Sequence, residues 1–262
     1  MSRKDGPVYT LGFAAVTCTV CGFFVAGAAV VLEDAKETNK QIDMQKNVLL
    51  AAGLLTPDET VTPAAVGRLF KEKVKAEVVT LQTGEVATGI DPATFDQQLA
   101  AANPKTSRAA PKNDAKVARI PNHGLVFHVK SDRRGELVVL PVEGKGLWST
   151  LYGYLALDAG DLSVVRGISF YQHGETPGLG GEIENPKWQA RWNGREVFDK
   201  NFNPVLTVIK GKAGSVAADP HHVDGLSGAT MTSNGVTHLV QFWLGENGFG
   251  PYLKRLARKG GA

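Results

Sequence analysis

Polarity along the chain falls into three regimes. No charged residue occurs from Gly6 to Leu32, and residues 8–32 read VYTLGFAAVTCTVCGFFVAGAAVVL. As a helix this run is ~37 Å long against a hydrocarbon core of ~30 Å, which predicts a tilted transmembrane helix. Ala26-Gly27-Ala28 would suit a signal-peptide cleavage site, but the run is roughly twice the ~7–15-residue core of a signal peptide, so its length favours a retained anchor. Residues 33–55 then space Ile42, Val48, Leu49 and Leu50 among polar positions, predicting a juxtamembrane helix that ends near Gly53.

The remaining body reads as mixed helix and strand. Pro63 is placed to start a helix over 64–74 with Val66, Leu69, Phe70 and Val74 apolar. Residues 103–116 (NPKTSRAAPKNDAK) lack any apolar period and predict an exposed loop, the natural internal boundary. Strand-like runs follow at 124–129, 136–142, 150–157, 162–170 and 205–209, joined by connections short enough for an antiparallel sheet. A short helix is expected at 186–192 and a longer one at 231–244, with Val236, Leu239, Val240 and Trp243 on one face. The fold class is therefore α+β: one N-terminal transmembrane helix, then helices packed on a mostly antiparallel sheet. The organisation reads as 1–7 before the span, 8–32 the span, 33–55 the juxtamembrane helix, 56–120 an α-rich part, and 121–262 the sheet domain.

Charge narrows the possible partners. The net charge is +3. Residues 1–32 hold a net +1, and the last ten residues hold Lys254, Arg255, Arg258 and Lys259 with no acid, so the rest of the chain sums to −2. A nucleic-acid binder needs a basic body, and this one is slightly acidic. Arg3 and Lys4 precede the span and Glu33 and Asp34 follow it, which puts the N-terminus in the cytoplasm and the body across the membrane, in the periplasm of a bacterial cell. Cys18 and Cys21 both lie within the span, which excludes a disulfide-stapled domain and a structural zinc site. They read as small packing residues, alongside Gly12, Gly22 and Gly27, on a helix suited to contact with other membrane proteins of a complex. Neither His221 nor His222 has a second ligand at metal spacing, and no G-x-G-x-x-G opens a helix, so no metal site and no dinucleotide fold is expected.

The candidate chemistry lies in three glycine-rich stretches. Asp224-Gly225-Leu226-Ser227-Gly228-Ala229-Thr230 is small and hydroxyl-rich, and it runs straight into the 231–244 helix. Two readings fit: a hydroxyl N-cap, or a phosphate site at the helix start with Gly228 and Ala229 admitting a bulky group. Residues 173–182 (HGETPGLGGE) form a tight loop in which Pro177 fixes one dihedral and Gly178 and Gly180 permit close turns; Thr176 belongs to it, and Leu179 can cover a ring face. Glu175 reads as a solvated loop acid, or as a redox tuner if it lies beside a ring. Trp148, in GKGLWST, is either a stacking platform or an ordinary core tryptophan. Lys210 and Lys212 read as a solvated pair, with phosphate neutralisation the alternative.

The Asp-to-Ser-Gly-Ala-Thr segment and the Glu-Thr-Pro-Gly-Leu-Gly core together resemble the FMN-binding domain family. With the single N-terminal span and the 242–250 ending (FWLGENGFG), the chain as a whole resembles the C-subunit family of the sodium-translocating NADH:quinone reductases, with the G-subunit family of the Rnf complexes a near relative. The resemblance implies FMN esterified through its phosphate to Thr230 by a separate flavin transferase. It also implies a cofactor site built from Asp224, Ser227, Gly228, Ala229, Glu175, Thr176, Gly178, Leu179, Gly180 and Trp148, and electron relay among membrane subunits of the bacterial inner membrane. The alternative from another class is a membrane-anchored binding module that uses the same cleft without electron transfer.

Overall fold

The computed structural model describes residues 6–57 and 59–260. Arg3 and Lys4, which carry the expected orientation of the span, lie outside them. The chain forms two compact units, Met1–Met44 and Gln45–Ala262.

In the first unit, α1 (Pro7–Val31) starts with proline at its first position and buries none of its side chains. Among the described residues it is the one helix long and apolar enough to cross a membrane. The Thr19 hydroxyl donates to the Ala15 carbonyl at 2.8 Å, which satisfies it within the helix. Cys18 and Cys21 are free and exposed on this helix. A second helix, α2, runs Glu33–Ala51. Its end lies in the second unit and is closed by Gly53 at φ +69°: Gly53 N–H donates to Leu50 O and Leu54 N–H to Leu49 O, both at 2.9 Å.

The second unit continues with α3 (Pro63–Lys73), β1 (Val74–Thr80), β2 (Glu85–Val86), α4 (Gln97–Ala102), β3 (Ser107–Ala109) and β4 (Arg119–Pro121). Four long strands follow: β5 (His123–Ser131), β6 (Gly135–Lys145), β7 (Thr150–Asp158) and β8 (Val165–Gln172). After them come α5 (Pro186–Gln189), β9 (Thr207–Val208), β10 (His222–Val223), α6 (Thr230–Leu244) and α7 (Gly250–Gly260). One six-stranded sheet, ordered β2-β1-β5-β6-β7-β8 and antiparallel at every pairing, organises the unit. It has helices on both faces, which is the expected α+β class.

Strand periodicity sorts the two faces. Val138, Leu140 and Val142 of β6, with Leu155, Leu157, Ile168 and Phe170, form the larger core beneath α6, whose Val236, Leu239, Val240 and Trp243 are fully buried. The opposite face buries Phe127, Val139 and Tyr154. There Phe70 of α3 meets Phe127 edge-on at 6.1 Å, and Ser169 of β8 donates to the carbonyl of Asn47 in α2. Glycines bring α6 down onto the end of β6. A Cβ on Gly144 would come within 2.6 Å of Leu239 Cβ, and one on Gly235 within 2.4 Å of Lys145 O. This approach fixes the start of α6 beside the β6–β7 turn.

Several elements differ from the sequence reading. Residues 74–80 are a full strand, β1, where periodicity ran the preceding helix through Val74. The β1 pattern follows α3 with no turn residue between them, so Phe70 and Val74 look like one helical face. β1 pairs with β5 along seven positions, so the sheet draws on chain from both sides of 103–116. That segment is also not a free loop. It contains β3, buries Ser107 and Ala115, and anchors β6 through Lys145 N–H donating to Ala115 O. Residues 205–209 supply only a two-residue parallel pair, β9 with β10, outside the main sheet.

A cavity of about 310 Å³ lies between α4, the 116–119 segment and the ends of β6 and β7, and Glu143 lines it. Burial pushes the Glu143 carboxyl up to about 7. The folded state therefore favours the protonated acid. Stability should fall as pH rises from the ordinary carboxyl range to about 7, then level off. Glu143→Gln should match wild type in urea denaturation near pH 4, below the ordinary carboxyl range, and exceed it at pH 8 by on the order of 2 kcal/mol.

Candidate functional site

Three segments meet at one end of the sheet: the 146–149 turn between β6 and β7, the 173–181 loop after β8, and the start of α6. Their junction is the Glu175 carboxylate, 5% exposed. Oε1 accepts the N–H groups of Trp148 at 2.9 Å and Ser149 at 3.0 Å, and the Ser149 hydroxyl at 3.2 Å. Oε2 accepts Leu147 N–H at 3.1 Å and the Thr232 hydroxyl of α6 at 2.6 Å. Burial works to raise this carboxyl, but the Thr232 hydroxyl and the three N–H groups outweigh it and hold the group below its ordinary value. Glu175 is thus an ionised, internally bonded acid and not the solvated loop residue the sequence suggested.

The surrounding loop is shaped to bring this acid in. The carbonyl of Thr176 accepts from the N–H groups of Leu179 and Gly181, and Gly178 turns at φ +75°. His173 Nδ1 accepts the N–H of Glu175 at 3.1 Å, which places the ring proton on Nε2, 3.0 Å from a carboxylate oxygen of Glu184. Glycine is required where the segments touch the carboxylate. A Cβ on Gly146 would lie 2.7 Å from Glu175 Oε1, and one on Gly180 2.5 Å from Thr232 Oγ1.

The start of α6 lacks the cap that its hydroxyl-rich approach suggested. Its N-cap residue is Ala229, and no side chain accepts a hydrogen bond there. Ser233 turns inward and accepts Leu226 N–H at 3.1 Å, while Thr232 is committed to Glu175. Thr230, at the first helical position, is exposed, as are Ser227 and Gly228. Thr230 therefore presents a free-standing hydroxyl at a helix end whose first-turn N–H groups face outward. Gly228 sits at φ +71°, and a Cβ there would come 2.9 Å from Leu179 Cδ2, so the 173–181 loop rests on the approach to α6.

Trp148 is 68% exposed and Leu179 44%, which removes the core reading of Trp148 and leaves two apolar side chains open beside Thr230's helix. Asp224, at the other end of the motif, is buried and engaged: its carboxylate pairs with Arg191 and accepts Ala213 N–H at 2.9 Å. Its carbonyl accepts Trp188 Nε1–H at 2.8 Å. Asp224 holds the motif to the body. Lys210 and Lys212 are exposed. No group of metal-ligating side chains occurs among the described residues. Nothing in the sequence singles out Thr232 or Ser149. Their shared partner lies 57 and 26 positions away, a contact that no local pattern encodes.

The FMN-binding domain family matches residues 146–245, the span from the Trp148 turn to the end of α6. The C subunit of the Na(+)-translocating NADH-quinone reductase of Pseudomonas aeruginosa is 44% identical over the full length of both chains. Its counterpart in Yersinia pestis is 45% identical, over 97% of this chain and 94% of its own. The crystal structure of Shewanella oneidensis NqrC superposes with a TM-score of 0.75 at 35% identity, covering 86% of this chain and 99% of that one.

Gly180→Ala tests whether the three segments lock as described. The added methyl must displace the Thr232 hydroxyl from Glu175, so thermal or urea denaturation should register a loss of roughly 1–3 kcal/mol. Unchanged stability would refute the tight junction.

Proposed function

Since the chain belongs to the C-subunit family of the Na(+)-translocating NADH-quinone reductases, a full-length kinship with 38–45% identity to its named relatives, we propose that it carries FMN bound covalently through Thr230 and relays electrons within that complex. The single observation that carries this reading is the geometry at α6: an exposed threonine hydroxyl on an uncapped helix start, beside two open apolar side chains. A phosphoester at the first helical position satisfies the outward N–H groups and sits at the positive end of the helix dipole. Gly228, Ser227 and Ala229 keep the approach free of bulk. Trp148 and Leu179, both open to solvent, would cover the faces of an isoalloxazine, with Gly178 and Thr176 shaping the loop that presents Leu179. When bound, FMN supplies one- and two-electron transfer. The protein supplies the tether, the apolar faces and the electrostatics.

The reading extends to partners and placement. The acceptor threonine needs a flavin transferase, and the other subunits of the reductase supply and remove the electrons. The α1 helix anchors the chain by a single pass in the bacterial inner membrane, with the N-terminus cytoplasmic and the second unit periplasmic.

Intact mass spectrometry tests the tether. Wild-type protein coexpressed with a flavin transferase should gain the mass of an FMN phosphoester, and Thr230→Ala should gain none. An Ala variant that keeps the added mass would place the attachment elsewhere. The missing cap gives a further outcome. Flavinylated protein should melt several degrees above the unmodified chain, because the phosphate completes the first turn of α6.

A further inference from the structure

The five hydrogen bonds on Glu175 use donors from two elements that also touch where Gly235 of α6 approaches Lys145 and Gly146. Leu147, Trp148 and Ser149 belong to the β6–β7 turn, and Thr232 belongs to the first turn of α6, two residues beyond Thr230. Each carboxylate oxygen accepts from the turn, and Oε2 also accepts from the helix. Both oxygens are occupied by internal donors, so the carboxylate's hydrogen-bonding capacity is spent within the protein. Glycines at 146 and 180 leave no room for the carboxylate to shift, since a Cβ at either position would come within 3.0 Å of it.

We infer that Glu175 is the positioning residue of the flavin site, and that it acts by fixing the Trp148 turn against the helix that bears Thr230, without touching the cofactor. This rests on the covalent-flavin reading above and deepens it. A tether on a single rotatable side chain fixes where a ring begins but not where it lies. The second fixed point is the tryptophan. The Gly235 approach brings the turn to the helix, and the carboxylate fixes how residues 147–149 lie against it. A glutamine cannot reproduce the arrangement. Its amide nitrogen donates, so at least one N–H of the turn is left facing another donor. Thr232 tests the helix side of the link by itself: valine removes the donor at the same shape, and serine restores it.

The experiment uses the full-length protein, flavinylated by a coexpressed transferase, with unmodified protein in parallel. Two measurements are made: flavin fluorescence lifetime and site-resolved amide hydrogen exchange. Trp148→Leu should lengthen the flavin lifetime several-fold by removing a quenching neighbour. Glu175→Gln and Thr232→Val should each move the lifetime toward that value, and Thr232→Ser should return it to wild type. In the Trp148→Leu background, Glu175→Gln should add nothing. In the unmodified protein, amide exchange at 147–149 should accelerate at least tenfold in Glu175→Gln, with the amides of β5 and β6 unchanged. Wild-type lifetimes in the flavinylated Glu175→Gln and Thr232→Val proteins overturn the inference. So does exchange at 147–149 that is unaltered, or that rises only in step with the whole sheet. Should Glu175→Gln fail to fold, the Thr232→Val and Thr232→Ser pair decides on the same two readouts. A wild type that acquires no flavin mass refutes the tether reading instead, and the exchange data on the unmodified chain still decide whether Glu175 positions the turn.

Discussion

A carboxylate taken out of water is the most expensive common side chain to bury, and this fold places one at the meeting point of three segments. Glu175 is tolerable there only because five donors surround it, four from the β6–β7 turn and one from α6. The dependence is mutual. The N–H groups of 147–149 have no ladder partner in Glu175's absence and would be left to water. The network is therefore nearly all-or-none, and the turn, the loop and the helix start hold their geometry together or lose it together. The same logic dictates the glycines at 146 and 180, whose missing side chains leave the space the carboxylate fills.

A second carboxyl shows the opposite solution to the same problem. Glu143 lies on β6, close in sequence to the Trp148 turn, and its carboxyl is raised to about 7 by burial alone. Its cavity is lined by Lys116, Lys145 and Tyr152, yet only desolvation moves the carboxyl, which stays closer to a neutral acid. Two glutamates at one end of one sheet thus titrate in opposite directions. The difference is donor count: a ring of N–H groups makes the charged form the stable one, and its absence makes the neutral form so. The ionised acid sits at the junction of the site segments, and the neutral one lines a separate cavity.

The parts of this fold that are legible in sequence are those governed by local rules. Residues 8–32 announce a long apolar helix, Pro63 starts α3, Gly53 ends α2, and Val236, Leu239, Val240 and Trp243 mark the buried face of α6. The β5–β8 runs show because each is bounded by turn residues. β1 is hidden because it emerges from a helix without a turn, so helical spacing absorbs its first residue. Within the site, Thr230, Leu179 and Trp148 stand out as residue types in glycine-rich settings. The role of Glu175 does not: whether a loop acid is solvated or saturated depends on partners 26 to 57 positions away. Nor is the missing cap foreseeable, since Ser227, Thr232 and Ser233 are all plausible capping residues by type. Only the three-dimensional arrangement shows that Thr232 and Ser233 are engaged with Glu175 and Leu226.

The openness of the site bears on the proposed covalent attachment of a flavin. Pockets that retain small molecules by contact alone bury about 70–90% of the ligand surface. Here the two apolar side chains offered to a ring are largely or nearly half exposed, so stacking alone would be worth only about 0.5–1.5 kcal/mol per aromatic contact. That is far short of the ~8 kcal/mol needed for micromolar retention. The proposed phosphoester would remove the question of affinity, because a tethered ring cannot leave and its effective concentration over Trp148 would be set by the length of the threonine-phosphate arm. The shallow platform is then an advantage. On the proposed reading, a ring held at the surface would keep an edge within reach of other subunits, and the platform would have to control orientation, a task for the turn bearing Trp148 and the carboxylate that holds it.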